Sequence, residues 1–361
     1  MNRGVIWVFG SLVVLGLVRF GVFAAERRAA RGSNTLRREL LDLGPTPSPR
    51  PLHVRAPLDG GTDTLLAGLF DLTAPPRVDE ALRATHAAEG GLPPGLAIAT
   101  VGPDSWAGVS ALTAQLPTRI DSLDACLDAL ALGRDLARGG GLLGITAATR
   151  LTEVALEPCG SVLTRAPPEQ QATATEALSQ LLDGAPTLAR AFREADLDLQ
   201  VHTFGRWMRD EDLAELPAPM REAARRGREL PTAFLERQSL LGLWTRMSKT
   251  THAAMDALEL PPAERERVLE QLETRLDTPS VGVSAGWRAA IVSHERRLTL
   301  LRMLRLATAM TITEAKTHRW PALSEVERGD FSLAQDQAGS VTLSLRSAST
   351  HLTLTPTPGA P

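Results

Sequence analysis

From Gly4 to Ala25 the chain carries a single charged side chain, Arg19, and that run dictates the solvent before anything else about the fold. It reads Gly-Val-Ile-Trp-Val-Phe-Gly-Ser-Leu-Val-Val-Leu-Gly-Leu-Val to Val18, then Arg19, then Phe-Gly-Val-Phe-Ala-Ala. About 20 apolar residues cross the hydrocarbon layer as a helix. An arginine close to one end reaches the headgroups with its long stem. Large apolar groups lie all round this helix, which argues against a one-sided core helix of a water-soluble domain. The expectation is a retained single-pass anchor over residues 1–25, lodged in membrane through residues 4–25. A cleavable secretory leader is the other reading, with Arg3 as its basic start and Val22-Phe23-Ala24 before the cut, although Arg19 and Phe23 suit that region poorly.

Two signals disagree on orientation. Arg3 precedes the stretch, whereas Arg27, Arg28, Arg31, Arg37 and Arg38 follow it. Basic residues beside a span favour the cytoplasm, which would keep the body inside the cell. A short N-terminal span followed by a long body favours export. The expectation adopted is an inner-membrane protein with an extracytoplasmic body.

With 361 residues the chain has material for one or two domains with a buried core. The formal net charge is −3, so no basic field points to nucleic acid. Lysine occurs only at Lys249 and Lys316, tyrosine is absent, and aromatic residues make up 4% of the chain, which leaves little for base stacking. Expected partners are the membrane and protein, not nucleic acid. The two cysteines, Cys126 and Cys159, belong to no CxxC or Cys/His cluster. They are either two small buried hydrophobes or one disulfide clamping neighbouring helices, the latter only outside the cytoplasm.

The rest reads as a mainly α protein: an N-terminal transmembrane helix, an irregular multi-helix body and a small C-terminal β-hairpin. Residues 26–61 form a juxtamembrane helix and a linker stiffened by Pro45, Pro47, Pro49, Pro51 and Pro57. The helical body spans residues 62–327. Short helices are predicted over Thr62–Leu72 and Val78–Ala88, with a possible strand at Leu96–Val101; the residues up to 118 are poorly determined. Asp121 or Ser122 caps a helix that turns Ile120, Leu123, Leu127, Leu130 and Leu136 inward. Gly139-Gly140-Gly141 ends it, and a return helix over Leu142–Leu156 stops before Pro158. Helices over Glu169–Leu182 and Thr187–Ala195 follow, and residues 197–202 suit a strand or a helix. Asp210, Glu211, Asp212 and Glu215 read as a solvated helix start, and Arg221, Arg225, Arg226 and Arg228 as a solvated face. Longer helices cover Pro231–Leu258, Ala263–Leu276 and Trp287–Thr317. The alternating runs Val341–Arg346 and His351–Leu354 form the hairpin of residues 328–355, and 356–361 is a tail.

Motifs that carry chemistry are sparse. Gly282-Val283-Ser284-Ala285-Gly286 matches GxSxG, the strand-to-helix turn that presents a nucleophilic serine, and His294, His318 and His351 lie downstream. That turn needs a buried strand before it; here an amphipathic helix and Asp277-Thr278-Pro279-Ser280 precede it, and the βα alternation of such a sheet is missing. Ser284 is therefore a minor candidate nucleophile. The seven histidines are scattered, without HExxH or HxH spacing. The triple glycine follows a helix and lacks the lysine of a phosphate loop. No catalytic residue, cofactor or metal is expected.

The stretch from Trp287 onward, with its long Arg/Ala/Leu helix, Thr317-His318-Arg319-Trp320-Pro321-Ala322-Leu323-Ser324-Glu325-Val326 and glycine-containing hairpin, resembles the C-terminal part of type II secretion pseudopilins. It is also similar to single-span, Leu/Ala-rich helical envelope proteins of planctomycete and myxobacterial type, whose Ala-Arg-Asp-Leu-Ala-like helix is echoed by Gly133-Arg134-Asp135-Leu136-Ala137-Arg138. These resemblances imply a membrane-tethered, non-catalytic scaffold or adaptor, or else a component of an envelope secretion or pseudopilus-like assembly. They carry over no functional residue.

Overall fold

The structure, a computed structural model, describes residues 79, 82, 85, 107–198, 248–276, 286–321, 331–346 and 349–356. The apolar N-terminal stretch, the proline-rich linker, the 96–101 run, the acidic and arginine clusters between 210 and 228, and Ser284 lie outside the described residues. Among the described residues no helix is long and apolar enough to cross a membrane.

The described chain is mainly helical and ends in a small antiparallel sheet. Helix α1 (Ala107–Arg119) falls where the sequence was poorly determined. Val109, Leu112, Leu116 and then Ile120 recur at helical spacing and are all buried, so one stripe enters the core despite Pro117 in the last turn. Helix α2 (Leu123–Ala137) starts at Ser122, whose hydroxyl accepts a hydrogen bond from the Ala125 amide at 3.3 Å. Every residue from Cys126 to Ala137 is buried, so this helix is enclosed on all sides.

Helix α3 (Gly141–Arg165) corrects one expectation: it does not stop before Pro158 but continues two turns beyond it. Proline removes one backbone bond and crowds the preceding turn. The buried stripe of Leu151, Ala155, Cys159 and Leu163 nevertheless runs on past it, and burial on the far side outweighs the lost bond. Helices α4 (Pro168–Asp183) and α5 (Leu188–Asp198) follow, so Leu197 and Asp198 end a helix and do not begin a strand. Residues 248–257 are helical, and α6 (Pro262–Leu276) and α7 (Trp287–Thr317) follow the expected bounds closely.

Helix α7, at about 1.5 Å per residue, is the longest element and packs along both α3 and α4, while α2 packs on α3. The main core joins α1 to α4, α7 and the sheet through Leu112, Leu130, Leu151, Leu178, Leu304 and Leu343, all with no exposure. A second cluster gathers Phe192, Ala254, Ala257, Leu269, Trp287 and Ile291, with the Phe192 and Trp287 ring centroids 6.3 Å apart.

The C-terminal element is a three-stranded sheet where a hairpin was expected. Strand β1 (Phe331–Gln335) pairs with β2 (Val341–Leu345), which pairs with β3 (His351–Leu354). The overlooked strand has only Phe331 fully inside, so its alternation is faint. Its turn is nevertheless built from sequence: the Asp336 carboxylate accepts from the Ser340 amide at 2.9 Å, and Gly339 takes φ 84°. Val341, Leu343, Leu345, Leu352 and Leu354 face inward, and Leu352 lies over Gly160 of α3. Between helix and sheet, His318 ends α7 in the left-handed region, and Trp320 donates its Nε1 proton to the Gly339 carbonyl at 2.8 Å.

Candidate functional site

At the C-terminal end of α2, Arg134, Asp135 and the capping residue Arg138 break the rule that a charge on a helix seeks water. Arg134, Asp135 and Arg138 are 1%, 0% and 3% exposed, which places a fixed charge cluster inside the bundle. Arg134 donates from Nε to Oδ1 of Asp135 at 2.7 Å. Arg138 donates from Nη2 to the Gly184 carbonyl at 2.8 Å, fastening α2 to the end of α4. Helix α5 contributes Glu194, which accepts from the Gly139 amide at 3.1 Å and from Arg190 Nε at 2.7 Å.

Helix α7 adds His294 and Arg297, both buried and one turn apart on the same face. Arg297 reaches α2 beside Gly133, where a Cβ would stand 3.8 Å from Arg297 Nε, an ordinary contact, and a tighter 3.3 Å from the Ala148 carbonyl oxygen of α3. Helix α3 lines the same seam with two buried threonines. Thr152 donates to Ala148 O at 2.8 Å, and the Thr149 hydroxyl stands 2.8 Å from Ser293 O of α7 and 2.9 Å from Ile145 O of its own helix. Nearer the surface, Arg296 of α7 pairs with Glu153 of α3.

Burial dominates the electrostatics of this seam. It pushes the Asp135 carboxyl up against the opposing pull of Arg134, and it likewise raises Glu194 against Arg190. Burial, followed by repulsion from Arg134, lowers Arg138. His294 is pushed down to about 4 by burial and then by Arg297, so at neutral pH it is an uncharged imidazole. Arg297 is lowered to about 10 by burial and by Arg134, and still carries its proton at neutral pH. Among the described residues seven buried side-chain polar atoms lack a hydrogen-bond partner, and six of them sit here: Arg134 Nη2, Asp135 Oδ2, His294 Nδ1 and all three nitrogens of the Arg297 guanidinium. Buried polar atoms are normally paired, so this concentration sets the seam apart among the described residues.

One covalent bond joins two of the seam's helices. Cys126 of α2 and Cys159 of α3, both fully buried, form a disulfide with Cα atoms 5.2 Å apart. A loop of 33 residues closed in this way stabilises the fold by about 3–4 kcal/mol in the chain-entropy picture.

The other sequence candidates are dispersed. Ser284 lies outside the described residues; Gly286, which closes its motif, immediately precedes α7 with φ 61°. His294 lies in the buried seam, His318 caps α7, and His351 is exposed on β3. The start of α7 is capped from α6: Glu273 accepts from the Arg288 amide at 3.0 Å and from Arg288 Nε at 2.7 Å. An acidic cleft of about 370 Å³ is lined by Asp79, Asp121, Asp124 and Asp128, with Arg119 3.5 Å from Asp79. Among the described residues no group of His, Cys, Asp or Glu could hold a metal ion.

Sequence reasoning passed over Arg134, Asp135, Arg138 and Arg297 because charged residues on helices are ordinarily solvated. A signal was nevertheless present: from Ala125 to Ala137 the positions around the charges are almost all Ala, Leu or Gly, leaving α2 without a polar face on which to place them. No protein-family model matches the chain, and no curated protein or solved structure does either.

Proposed function

We propose that this chain is a membrane-tethered envelope protein whose helical body is a non-catalytic scaffold or adaptor outside the cytoplasm. The observation that carries the reading is the Cys126–Cys159 disulfide. Such bonds persist in oxidising compartments and are rare in the cytosol. The apolar stretch over Gly4–Ala25 supplies the tether, and the prolines between 45 and 57 supply a spacer. In a bundle clamped in this way, rigid helical surfaces are what the body offers a protein partner.

The alternative, a part in an envelope secretion or pseudopilus-like assembly, draws on the passage from α7 through Trp320 into the sheet. It ranks second because α7 begins at Trp287, far along the chain from Gly4–Ala25, and packs inside the bundle.

Thiol trapping in cells tests the leading reading. Cells are quenched in acid and denatured, and free thiols are blocked with a mass-tagged maleimide with and without prior reduction. The expected result is a tag on both cysteines only after reduction, in full-length protein that sediments with membranes. A companion variant, Val292→Cys, places a thiol at a 62% exposed position on α7. An impermeant maleimide should reach it in intact spheroplasts. Labelling only after lysis, or two free thiols without reductant, would put the body in the cytoplasm and overturn the reading.

A further inference from the structure

The buried seam holds more positive charge than it neutralises. Two guanidiniums, Arg134 and Arg297, act on the one carboxylate Asp135, while Glu194 pairs with Arg190. Arg297 makes no hydrogen bond from any of its three nitrogens at 1% exposure, and Arg134 Nη2 is likewise unpaired. A guanidinium does not give up its proton under physiological conditions, so burying it unpaired is unfavourable unless an anion accompanies it. Water would satisfy the N–H groups but not the charge.

The unpaired atoms also specify the anion. Arg297 Nε, Nη1 and Nη2 with Arg134 Nη2 are four unpaired guanidinium donors, and guanidinium groups suit the oxygens of a phosphate or carboxylate. The remaining unpaired oxygen, Asp135 Oδ2, is an acceptor beside them. A carboxylate or sulfate, fully ionised at neutral pH, has no proton for that oxygen and would be repelled by it. Hydrogen phosphate accepts at three oxygens and donates from its fourth. We propose that Arg297, Arg134 and Asp135, enclosed by α2, α3 and α7, form a binding site for a protonated phosphate group, as inorganic phosphate or a phosphomonoester. Gly133 lets α2 pack closely on α3 here, since a Cβ would stand 3.3 Å from the Ala148 carbonyl oxygen. This site is independent of the tether and of the compartment.

The test uses the full chain in a nonionic detergent, dialysed free of phosphate and followed by circular dichroism at 222 nm on heating. The expected result is a melting midpoint that rises with the logarithm of inorganic phosphate, by about 3–6 °C at a hundredfold excess over the dissociation constant. Sodium sulfate and sodium chloride at matched ionic strength should leave it unmoved. A parallel arm with glycerol phosphate separates the sources: a rise as large as with inorganic phosphate identifies a phosphomonoester site, and none identifies free phosphate. Arg297→Met should abolish the phosphate effect, and Asp135→Asn should let sulfate act as phosphate does. Should either variant fail to fold, isothermal titration of the unaltered chain with phosphate against sulfate decides alone. A melt and a titration insensitive to phosphate, an equal response to sulfate in the unaltered chain, or a response retained in Arg297→Met would overturn the proposal.

Discussion

Arg134 and Asp135 are adjacent in sequence on a helix, yet the arginine folds back to place Nε 2.7 Å from the aspartate Oδ1, with both side chains essentially out of water. Consecutive helical residues do not face each other, so only the length of the arginine stem permits this pair. Asp135→Ala leaves the Arg134 charge buried and uncompensated. The expected loss is about 3–5 kcal/mol, read from urea unfolding of the full chain. The double change Arg134→Met with Asp135→Leu removes both charges at similar volume and should cost far less than the single change.

His294 gives stability a pH dependence whose sign follows from its lowered pKa. The folded imidazole titrates at about 4 and the unfolded one at about 6.5, so between these values the unfolded chain binds the extra proton. Stability from this group is complete above pH 6.5 and is lost as pH falls toward 4, amounting to about 2–3 kcal/mol by pH 4.5. Asp135 and Glu194, raised by burial, favour the folded state at low pH and slope the opposite way. The relevant quantity is therefore the difference between the unaltered chain and His294→Met. That difference should shrink or reverse on acidification from pH 7.5 to 4.5, and a constant difference would rule out a buried neutral imidazole.

Gly144 and Gly286 separate two reasons for glycine. Gly144 lies where α3 crosses α2, and a Cβ there would overlap the Leu136 carbonyl oxygen, a backbone atom that cannot swing aside. Gly144→Ala should destabilise by about 1–3 kcal/mol even though alanine is the better helix former. Gly286 has open space around it but a φ of 61°, so Gly286→Ala should cost about 1–2 kcal/mol from backbone strain alone. Asn, which tolerates the left-handed region, should restore most of the stability at 286 and none at 144.

Removing the clamp offers a further measurement. Cys126→Ala with Cys159→Ala should lower stability by about 3–4 kcal/mol relative to the oxidised chain. Adding reductant to the unaltered chain should lower its melting midpoint and leave that of the double variant unchanged.

How far these features can be read from sequence depends on whether they are local. The ends of α4, α6 and α7 were legible because Pro168, Pro262 and the Thr317-His318 stop are written at the boundary itself. Ser122 likewise announces its own cap. Pro158 misled because local propensity marks a break, whereas the apolar stripe from Leu151 to Leu163 needs a continuous helix. Strand β1 was missed for the opposite reason: only pairing with β2 makes Phe331–Gln335 extended, and its own alternation is faint. The candidate site was the least legible. Arg134 and Asp135 stand in the sequence as part of a family echo, but nothing in one sequence says that α3 and α7 close over them. The cysteine pairing stood as one of two options, since 33 residues of separation set no distance.

The same cysteines bracket nearly everything that gives the bundle its character. Gly133, Arg134, Asp135, Arg138, Gly144, Thr149 and Thr152 all fall between positions 126 and 159, inside a covalent ring. A protease that nicked the chain at the Gly139-Gly140 corner would therefore produce two fragments still chained together. They would migrate as one species until a thiol was added.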